Sequence, residues 1–467
     1  MSTLAIVISL MLLIFLAYRG ISVLLLAPLM ATLAVTLSGD AAFLLPIYTD
    51  TFMGALGDYV IQFFPLFLLG ALFGQLMADS GAAQAIANGI VNKLGTQHVV
   101  LTVVIACAIL TYGGVSLFVV AFAIYPISRE LFRRANAPKR LIPGAIALGS
   151  FTFTMTALPG TPAIQNAIPI PYFETNSFAA PGLGIIAGLI MLGLGTIYLQ
   201  SRVKQAAAKG EGYGQHTERE AEQTDTENTD ASAASMPMAV ALIPLIMVIG
   251  LNALLTYGIF PSLDLSFISD EFEDVSPSGQ TGLWSILIAL LSASAWLIIS
   301  QWKRWTNLKG TVNNGCFGSL LPIFNTASEV GYGAVIASLA GFALIRDAVL
   351  NVSPGNPLIS EAMAMSVLAG ITGSSSGGLS IALETLGSEY LTMAQEAGID
   401  PELMHRVATI SAGGMDTLPH SGAVITLLTI CGLTHRQSYG HVAMVTIVLP
   451  IAALISVITL GTLFGSF

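Results

Sequence analysis

The sequence predicts an all-α polytopic membrane protein made of two inverted repeats, each with a re-entrant hairpin and a broken helix. The first observation is the scarcity of charge: 9% of the 467 residues are charged and 54% are hydrophobic. Soluble domains carry about 25% charged residues. Uncharged runs occupy 20–39, 141–173, 236–263, 275–302 and 437–467. Each of these runs is long enough to cross a hydrocarbon core of about 30 Å as a helix.

The second observation is an internal similarity between the two halves of the chain. GGVSLFV at 113–119 resembles GGLSIAL at 377–383, and ALPGTPAI at 157–164 resembles TLPHSGAV at 417–424. Between them, PKRLIPGAIA starting at Pro138 aligns with PELMHRVATI starting at Pro401. The three matches occur in the same order at offsets of 264, 260 and 263 residues respectively. This pattern indicates a duplicated unit.

The third observation is the opposite charge of equivalent loops. RELFRRANAPKR at 129–140 is basic, so it is expected in the cytoplasm, where membrane proteins concentrate Lys and Arg. Its counterpart at 385–405 has no Lys or Arg and carries four acids, so it is expected outside. Equivalent loops on opposite sides of the membrane indicate inverted repeats. In the resulting topology, Arg346 and Arg406 are the only Lys or Arg residues outside cytoplasmic loops.

The first repeat, residues 1–200, is expected to start with scaffold helices within about 1–90, at 3–18, 21–38 and 60–77. The N-terminal stretch has no basic start and no small-residue cleavage site, so it is expected to be a retained helix and not a signal peptide. A hairpin and a broken helix follow within about 94–175. The arms of the hairpin at 94–128 are too short to cross separately, so its Gly-Gly tip is expected inside the membrane. A crossing at 178–200 completes the repeat.

Residues 201–235 are expected to be a disordered cytoplasmic linker. From 204 to 235 the chain has seven acids and no Leu, Ile, Val, Phe or Trp, which is too little apolar surface to fold. The second repeat, 236–467, is expected to begin with scaffold helices within about 236–300, at 236–258 and 281–300. Its hairpin and broken helix are placed at about 357–435. The prediction totals about ten crossings and two hairpins, with both termini in the periplasm.

The Gly-Gly tips and the Leu-Pro breaks expose backbone groups at membrane depth, which is tolerated only where protein or water covers them. Newly started helices offer N–H groups and a partial positive charge, the features of an anion site. Glycine allows a ligand to approach the backbone, and hydroxyls add hydrogen bonds. The same small residues also serve helix packing. The predicted substrate-binding residues are Gly113, Gly114, Ser116, Pro159, Gly160, Thr161, Ser374, Ser375, Ser376, Gly377, Gly378, Thr417, His420, Ser421 and Gly422.

Ionisable residues inside the membrane are costly and usually functional. His420 is the first candidate for proton coupling because an unperturbed imidazole titrates near neutral pH. Asp416 and Glu329 are the alternatives. Glu384 and Arg346 are more simply explained by a position at the membrane interface.

The sequence gives little support for metal binding, catalysis or nucleic-acid binding. Cys107, Cys316 and Cys431 lie in apolar surroundings without metal-ligand spacing, so a packing role is expected and no metal site or cofactor is predicted. No catalytic motif occurs in the membrane segments, and the adjacent pair His420 and Ser421 is poorly placed for general-base activation. An enzyme is therefore not expected. The net charge of −10 gives no indication of nucleic-acid binding.

Two stretches resemble the gluconate permease family of proton symporters, and within it the D-β-hydroxybutyrate permease branch. They are GGVSLFVVAFAIYPISRELFRRANAPKRLIPGAIALGSFTFTMTALPGTPAIQN and GGMDTLPHSGAVITLLTICGLTHRQSY. The resemblance covers essentially the whole chain. It implies an elevator-type transporter in the bacterial inner membrane, a homodimer with a fixed scaffold and a moving transport domain. It also implies proton-coupled import of a small hydroxylated carboxylate.

One departure from the family pattern bears on the substrate. Gluconate-type members have His-Val-Asn-Asp-Ser-Gly-Phe-Trp where this chain has LPHSGAVI, so only Ser421 and Gly422 match. Fewer amide and carboxylate partners suit a shorter acid, and 3-hydroxybutyrate is the first expectation. Gluconate, lactate, glycerate and D-serine remain alternatives, as does coupling to Na⁺ in place of protons.

Overall fold

The computed structural model describes residues 2–19, 21–95, 98–214, 236–272, 277–353 and 355–467. Within these ranges the chain is helical throughout, with turns and short 3₁₀ and π segments between the α-helices and no β-strand. The predicted all-α class is confirmed. The segment predicted to be disordered lies, from 215 to 235, outside the described residues.

In the described residues of the first repeat there are twelve α-helices, several of them single turns. They are α1 (Ser2–Tyr18), α2 (Val23–Ser38), α3 (Leu44–Pro46), α4 (Met53–Asp79), α5 (Ala82–Leu94), α6 (Val99–Tyr112), α7 (Leu117–Arg134), α8 (Ile142–Ser150), α9 (Phe153–Thr156), α10 (Ile164–Ala167), α11 (Pro169–Phe173) and α12 (Pro181–Ala208). Helices α6 and α7 form hairpin 1, and the gap between α9 and α10 is the first break.

The second repeat, within the described ranges, follows the same order. Its helices are α13 (Met238–Leu254), α14 (Ser266–Glu271), α15 (Pro277–Ser300), α16 (Leu308–Ser338), α17 (Phe342–Leu350), α18 (Pro357–Thr372), α19 (Ser375–Ala397), α20 (Pro401–Met415), α21 (Gly422–Ile430), α22 (His435–Ala443) and α23 (Leu449–Phe464). Helices α18 and α19 form hairpin 2, and the gap between α20 and α21 is the second break.

The structure differs from the sequence-based prediction in two helix boundaries and one additional helix. The third long helix forms a continuous span of Ala41–Asp79, longer than the predicted 60–77, because a π-helical segment joins α3 to α4. The separate helix α5, which has one buried apolar face, was not predicted. Helix α12 continues to Ala208, eight residues beyond the predicted end of the first repeat, through a run of helix-favouring Lys, Gln and Ala.

The long helices pack crosswise between the repeats. Helices α4 and α16, which hold equivalent positions, pack against each other. The pair α1 and α2 of the first repeat packs against α16 of the second, while α13 and α15 pack against α4 and α5 of the first. Hairpin 2 packs against α20, the helix that leads into the second break, and α12 packs against α23.

Five helical stretches are long and apolar enough to cross a bilayer, namely Ala41–Asp79, Pro181–Ala208, Met238–Ser262, Gly279–Ser300 and His435–Phe464. The pair of α16 and α17, bent by 100°, gives a sixth if it is counted as one span. The expected ten crossings further require the shorter α1 and α2 and the two broken helices to cross. Large apolar side chains such as Ile61, Ile299 and Leu45 are exposed, as a lipid-facing surface requires.

The residues after α12 are held against the loop between hairpin 1 and α8. The Arg140 guanidinium donates to both carboxylate oxygens of Glu211, at 2.8 and 2.9 Å. The Lys139 backbone N–H donates to the Tyr213 carbonyl at 3.3 Å. The hydrogen bonds from Arg140 hold the pKa of Glu211 below its usual value. The chain is therefore fixed to this loop up to about residue 213.

Candidate functional site

The first break is held open by side chains that bind its backbone. The Gly160 N–H donates to the Ser177 carbonyl at 2.8 Å, and Asn166 Nδ2 donates to the carbonyls of Thr161 and Ser177 at 3.1 and 2.7 Å. Asn252, from α13, donates to the Gly160 carbonyl at 3.4 Å. Buried backbone groups that leave a helix need such partners. The predicted site residues Gly160 and Thr161 are therefore part of a rigid, well-bonded turn.

Arg406 completes the first break from the other repeat. It lies on α20, is fully buried, and donates from Nη1 to the Thr156 carbonyl at the end of α9, at 3.1 Å. The same group reaches Asn166 Oδ1 at 3.0 Å, and Nε and Nη2 reach the Ala179 carbonyl at 3.1 and 2.7 Å. The guanidinium supplies donors to the last turn of a short helix, which lacks partners for its carbonyls. The sequence marked this residue only by its position outside the cytoplasmic loops.

The tip of hairpin 1 contacts the first break. The Tyr112 hydroxyl donates to the Pro159 carbonyl at 2.7 Å. Gly114 has φ +98° and packs against a proline of the break, where a side chain would collide. Gly113 faces the side chain of Leu245 on α13, so its role in this structure is close packing. Ser116 precedes α7 next to α4, and its hydroxyl does not cap the helix.

The tip of hairpin 2 carries more hydroxyls. Ser374 forms the N-cap of α19, since its Oγ accepts the Gly377 N–H at 3.1 Å. The same oxygen lies 3.2 Å from Ser376 Oγ. Gly378 lies against the backbone of α18, so it closes the hairpin by tight packing. Gly377 instead faces the Glu329 carboxyl of α16, and a Cβ at that position would overlap it.

Ser375 connects the two repeats. Gln165 Nε2, from α10 just after the first break, donates to Ser375 Oγ at 2.9 Å. The Asp416 carboxyl lies near Ser375. Within the described residues, Gln165 Oε1 and Asp416 Oδ1 are buried and have no hydrogen-bond partner. Gln165 was not predicted, although a polar Gln-Asn pair in an apolar stretch is a signal for it.

The second break lies against the tip of hairpin 2. The His420 ring is half-buried and lies beside Gly373, whose φ of +66° ends α18. Ser421 is buried, and its Oγ has no hydrogen-bond partner among the described residues. Gly422 begins α21 with open space where a side chain would stand. His420, Ser421 and Gly422 therefore lie where a small ligand at the hairpin tip would meet them.

Three other polar residues are placed differently. The Thr417 hydroxyl is buried and lies 2.6 Å from the Thr446 hydroxyl, so it points towards the C-terminal helix and away from the hairpin tip. Glu384 accepts a hydrogen bond from Tyr172 at 2.9 Å. Arg346 is exposed and pairs with its neighbouring aspartate. The geometry gives Thr417 a part in holding the break, not a free hydroxyl for a ligand.

Glu329 occupies the contact between α16 and hairpin 2. Its side chain is buried, and Oε2 has no hydrogen-bond partner within the described residues. On one side lies Gly377. On another is an apolar cavity of about 220 Å³ that also borders α1, α17, α18 and α19. Nearby, Ser380 Oγ contacts Tyr59 of α4 at 3.3 Å.

The four irregular segments thus form a connected series. Hairpin 1 contacts the first break, the first break reaches hairpin 2 through Gln165, and hairpin 2 contacts the second break through Gly373. Among the described residues, no group of three or more His, Cys, Asp or Glu could hold a metal ion. The site is rich in hydroxyl and backbone groups, with buried carboxyls at two points.

Comparison with known proteins identifies a family and relatives of this chain. The model of the GntP family permeases matches residues 1–464. The uncharacterized transporter YxjC of Bacillus subtilis is 44% identical over 473 residues, which covers 100% of both chains. The high-affinity gluconate transporter of Escherichia coli is 32% identical over 131 residues, covering 27% of this chain and 28% of that one.

A solved structure shares the fold. The YdaH transporter of Alcanivorax borkumensis, described as having an unusual topology, superposes with a TM-score of 0.53. The match covers 90% of this chain and 89% of the other at 15% sequence identity. At that identity the likeness concerns the fold alone.

Proposed function

The chain belongs to the GntP permease family of membrane transporters, and we propose that it imports a short hydroxylated monocarboxylate together with protons. The membrane is the bacterial inner membrane, and 3-hydroxybutyrate is the first substrate to test. The Escherichia coli relative is named for gluconate, but its similarity covers 27% of this chain.

One observation carries the proposal. Two carboxyls near the hydroxyl-rich tip of hairpin 2, those of Asp416 and Glu329, each have one buried oxygen without a hydrogen-bond partner within the described residues. A buried carboxylate without a partner is costly, so binding a proton favours this arrangement. Import of an anion opposes an inside-negative potential at about 2.3 kcal/mol per charge and 100 mV. One proton per substrate removes that cost, and additional protons would drive accumulation.

The size of the substrate follows from the polar groups around the second break. His420, Ser421 and the hydroxyls of hairpin 2 offer a few hydrogen bonds to a carboxylate and one hydroxyl. A long polyhydroxylated acid would leave several of its hydroxyls without partners, at a cost for each buried group. A short hydroxy acid matches the available groups better.

The helix packing supports a proposed movement of the hairpins and broken helices against a fixed scaffold. Helices α1, α2, α13 and α15 have no break at membrane depth, and they pack on α16 and α4. We place them in a scaffold that forms a homodimer, against which the hairpins and broken helices move as one body. A monodisperse, fully active monomer in lipid would contradict this arrangement.

The test is uptake of labelled 3-hydroxybutyrate into proteoliposomes under a single imposed gradient. An inward pH gradient should drive accumulation, and an inward Na⁺ gradient at equal pH should not. Unlabelled gluconate, glycerate, lactate and D-serine serve as competitors. Accumulation driven by Na⁺ alone would replace protons as the coupling ion, and strong competition by gluconate alone would reassign the substrate.

A further inference from the structure

Glu361 is a buried acid on α18, the first arm of hairpin 2, away from the hairpin tip. Its side chain is fully buried, with 0% of its surface exposed. Neither carboxyl oxygen, Oε1 or Oε2, has a hydrogen-bond partner within the described residues. No salt bridge from that part of the chain reaches it either. A buried carboxylate without any partner is very unfavourable, so Glu361 carries a proton in this conformation.

The surroundings of Glu361 are the packed helices of hairpin 2 and α20. Met365 and Ala369, four and eight residues further along α18, share its face and are also buried. The backbone of Ala369 lies against Gly378 of α19, so the other arm of the hairpin covers this face. Helix α20 packs along α18 as well. Water therefore reaches the Glu361 carboxyl only when α18 separates from these neighbours.

Other titratable and charged groups stand on the helices packed against α18, which are α17, α19 and α20. His405 and Arg406 are buried but bound elsewhere, to Thr175 and to the carbonyls beside the first break. Tyr390 is buried, and its hydroxyl lies 3.3 Å from Ser360 Oγ. The remaining groups are at least partly exposed, namely Arg346 and Asp347 on α17, Glu384, Glu389 and Glu396 on α19, and Glu402 on α20 with Asp416 at its end. None of them is hydrogen-bonded to Glu361 within the described ranges, so none stabilises its ionised form by direct contact.

Hairpin 1 has no equivalent acid in its first arm. That arm, α6, reads VVLTVVIACAILTY and contains no Asp, Glu, His, Lys or Arg. The two hairpins hold equivalent places in the repeats, so hairpin 1 serves as an internal comparison for the effect of Glu361.

We propose that Glu361 is a proton-carrying residue of the transport cycle, which holds its proton while the arms of hairpin 2 are packed and exchanges it when they separate. The inference rests on the proposed function and adds a proton site to it. Twelve residues of helix at 1.5 Å each place this site about 18 Å from the hairpin tip at Gly373. The charge pattern of the loops predicts that this end of the hairpin faces the periplasm, so the proton is exchanged with water on that side.

The separation of the arms should depend on pH in a defined direction. A glutamate in water has a pKa of about 4.3 and releases its proton above that pH. The closed hairpin keeps the proton, so the open form binds fewer protons and the closed form loses stability as the pH rises. As long as Glu361 stays protonated in the closed form, the population of the open form should increase about tenfold per pH unit above about pH 5.

Hydrogen exchange of the purified full chain in detergent measures this opening. Exchange in hairpin 2, at 357–397, is divided by exchange in hairpin 1, at 99–134, so that the general effect of pH on amide chemistry cancels. Between about pH 5 and pH 8, this ratio should rise about tenfold per pH unit in the wild type. Glu361→Gln and Glu361→Met cannot ionise, so their ratios should not change with pH. Glu361→Asp keeps a carboxyl and should retain the rise.

Transport in proteoliposomes tests whether the cycle uses this proton. Glu361→Gln should still exchange internal for external 3-hydroxybutyrate at equal pH, because this exchange needs no net proton movement. It should lose the accumulation driven by a pH gradient. The matched control is Glu396→Gln, on the exposed end of α19, which should behave as the wild type does in both assays.

The outcomes separate the role of Glu361 from the proposed function. An exchange ratio that does not change with pH in the wild type overturns the role of Glu361, and so does full pH-driven accumulation by Glu361→Gln. Loss of substrate exchange together with accumulation in Glu361→Gln also overturns it, because the residue is then structural. In each of these cases, pH-driven accumulation by the wild type leaves the proposed function standing. No pH-driven accumulation of any hydroxy acid by the wild type refutes the proposed function, and the transport role of Glu361 with it.

Discussion

Replacing Arg406 with methionine tests whether this residue holds the first break together. The change removes hydrogen bonds to three oxygen atoms, those of the Thr156 and Ala179 carbonyls and of the Asn166 side chain. A hydrogen bond to a charged group contributes about 1.5–3 kcal/mol. The contributions are not additive, and the cost of burying the guanidinium is also removed. Leaving buried acceptors without their donors costs about 1–3 kcal/mol for each group, so we expect a loss of about 4 kcal/mol in the free energy of unfolding.

The assay is the fraction of monodisperse protein that survives heating in detergent, followed by transport in proteoliposomes. The matched control is Arg346→Met, because Arg346 is exposed and pairs only with a neighbouring surface aspartate among the described residues. An exposed pair contributes about 0–1 kcal/mol, so the control should behave as the wild type does. Arg406→Lys should be intermediate, since an ammonium lacks the forked geometry. Arg406→Met that survives heating as well as Arg346→Met would refute the reasoning.

Gly377→Ala should lower the thermal stability of the protein in detergent, because the new methyl overlaps the Glu329 carboxyl; stability should recover partly when Glu329→Ala is added, and no recovery would contradict this contact. Tyr112→Phe removes one hydrogen bond to the first break, about 1 kcal/mol, and should raise the KM about fivefold. Arg140 lowers the pKa of Glu211. The ion pair between the two side chains is therefore fully formed above the usual carboxyl pKa, and it is lost as the pH falls through the lowered pKa of Glu211. Hydrogen exchange at 209–214 should therefore accelerate only below about pH 4, and at every pH in Glu211→Gln.

The local irregularities of this chain could be read from its sequence. Glycine at 373 and the Leu-Pro pairs have few uses inside a membrane helix, and the structure places a helix end or a break at each of them. The duplicated order of elements was also visible, because the matching motifs keep a nearly constant offset. Local conformation and repetition are encoded within short stretches, so a single sequence reveals them.

The contacts between the repeats could not be read in the same way. The pairing of Gln165 with Ser375 joins residues 210 positions apart, and that of Arg406 with Thr156 joins residues 250 apart. Such contacts depend on how two broken helices cross, which no local pattern specifies. For the same reason, Thr417 was expected to face a ligand, whereas its hydroxyl lies against Thr446. The intramembrane polar residues were identifiable as a class, but their individual partners were not.

The two breaks carry similar motifs, yet they are held in different ways. The first is bound on several sides, by Asn166, Asn252, Tyr112 and Arg406. The second keeps polar atoms, such as Ser421 Oγ, without a partner within the described residues. In a duplicated unit, one break can serve to stabilise the fold while the residues of the other remain free to change with the substrate. Substrate range within the family should therefore evolve mainly at the second break, and substitutions at the first should be removed by selection for folding.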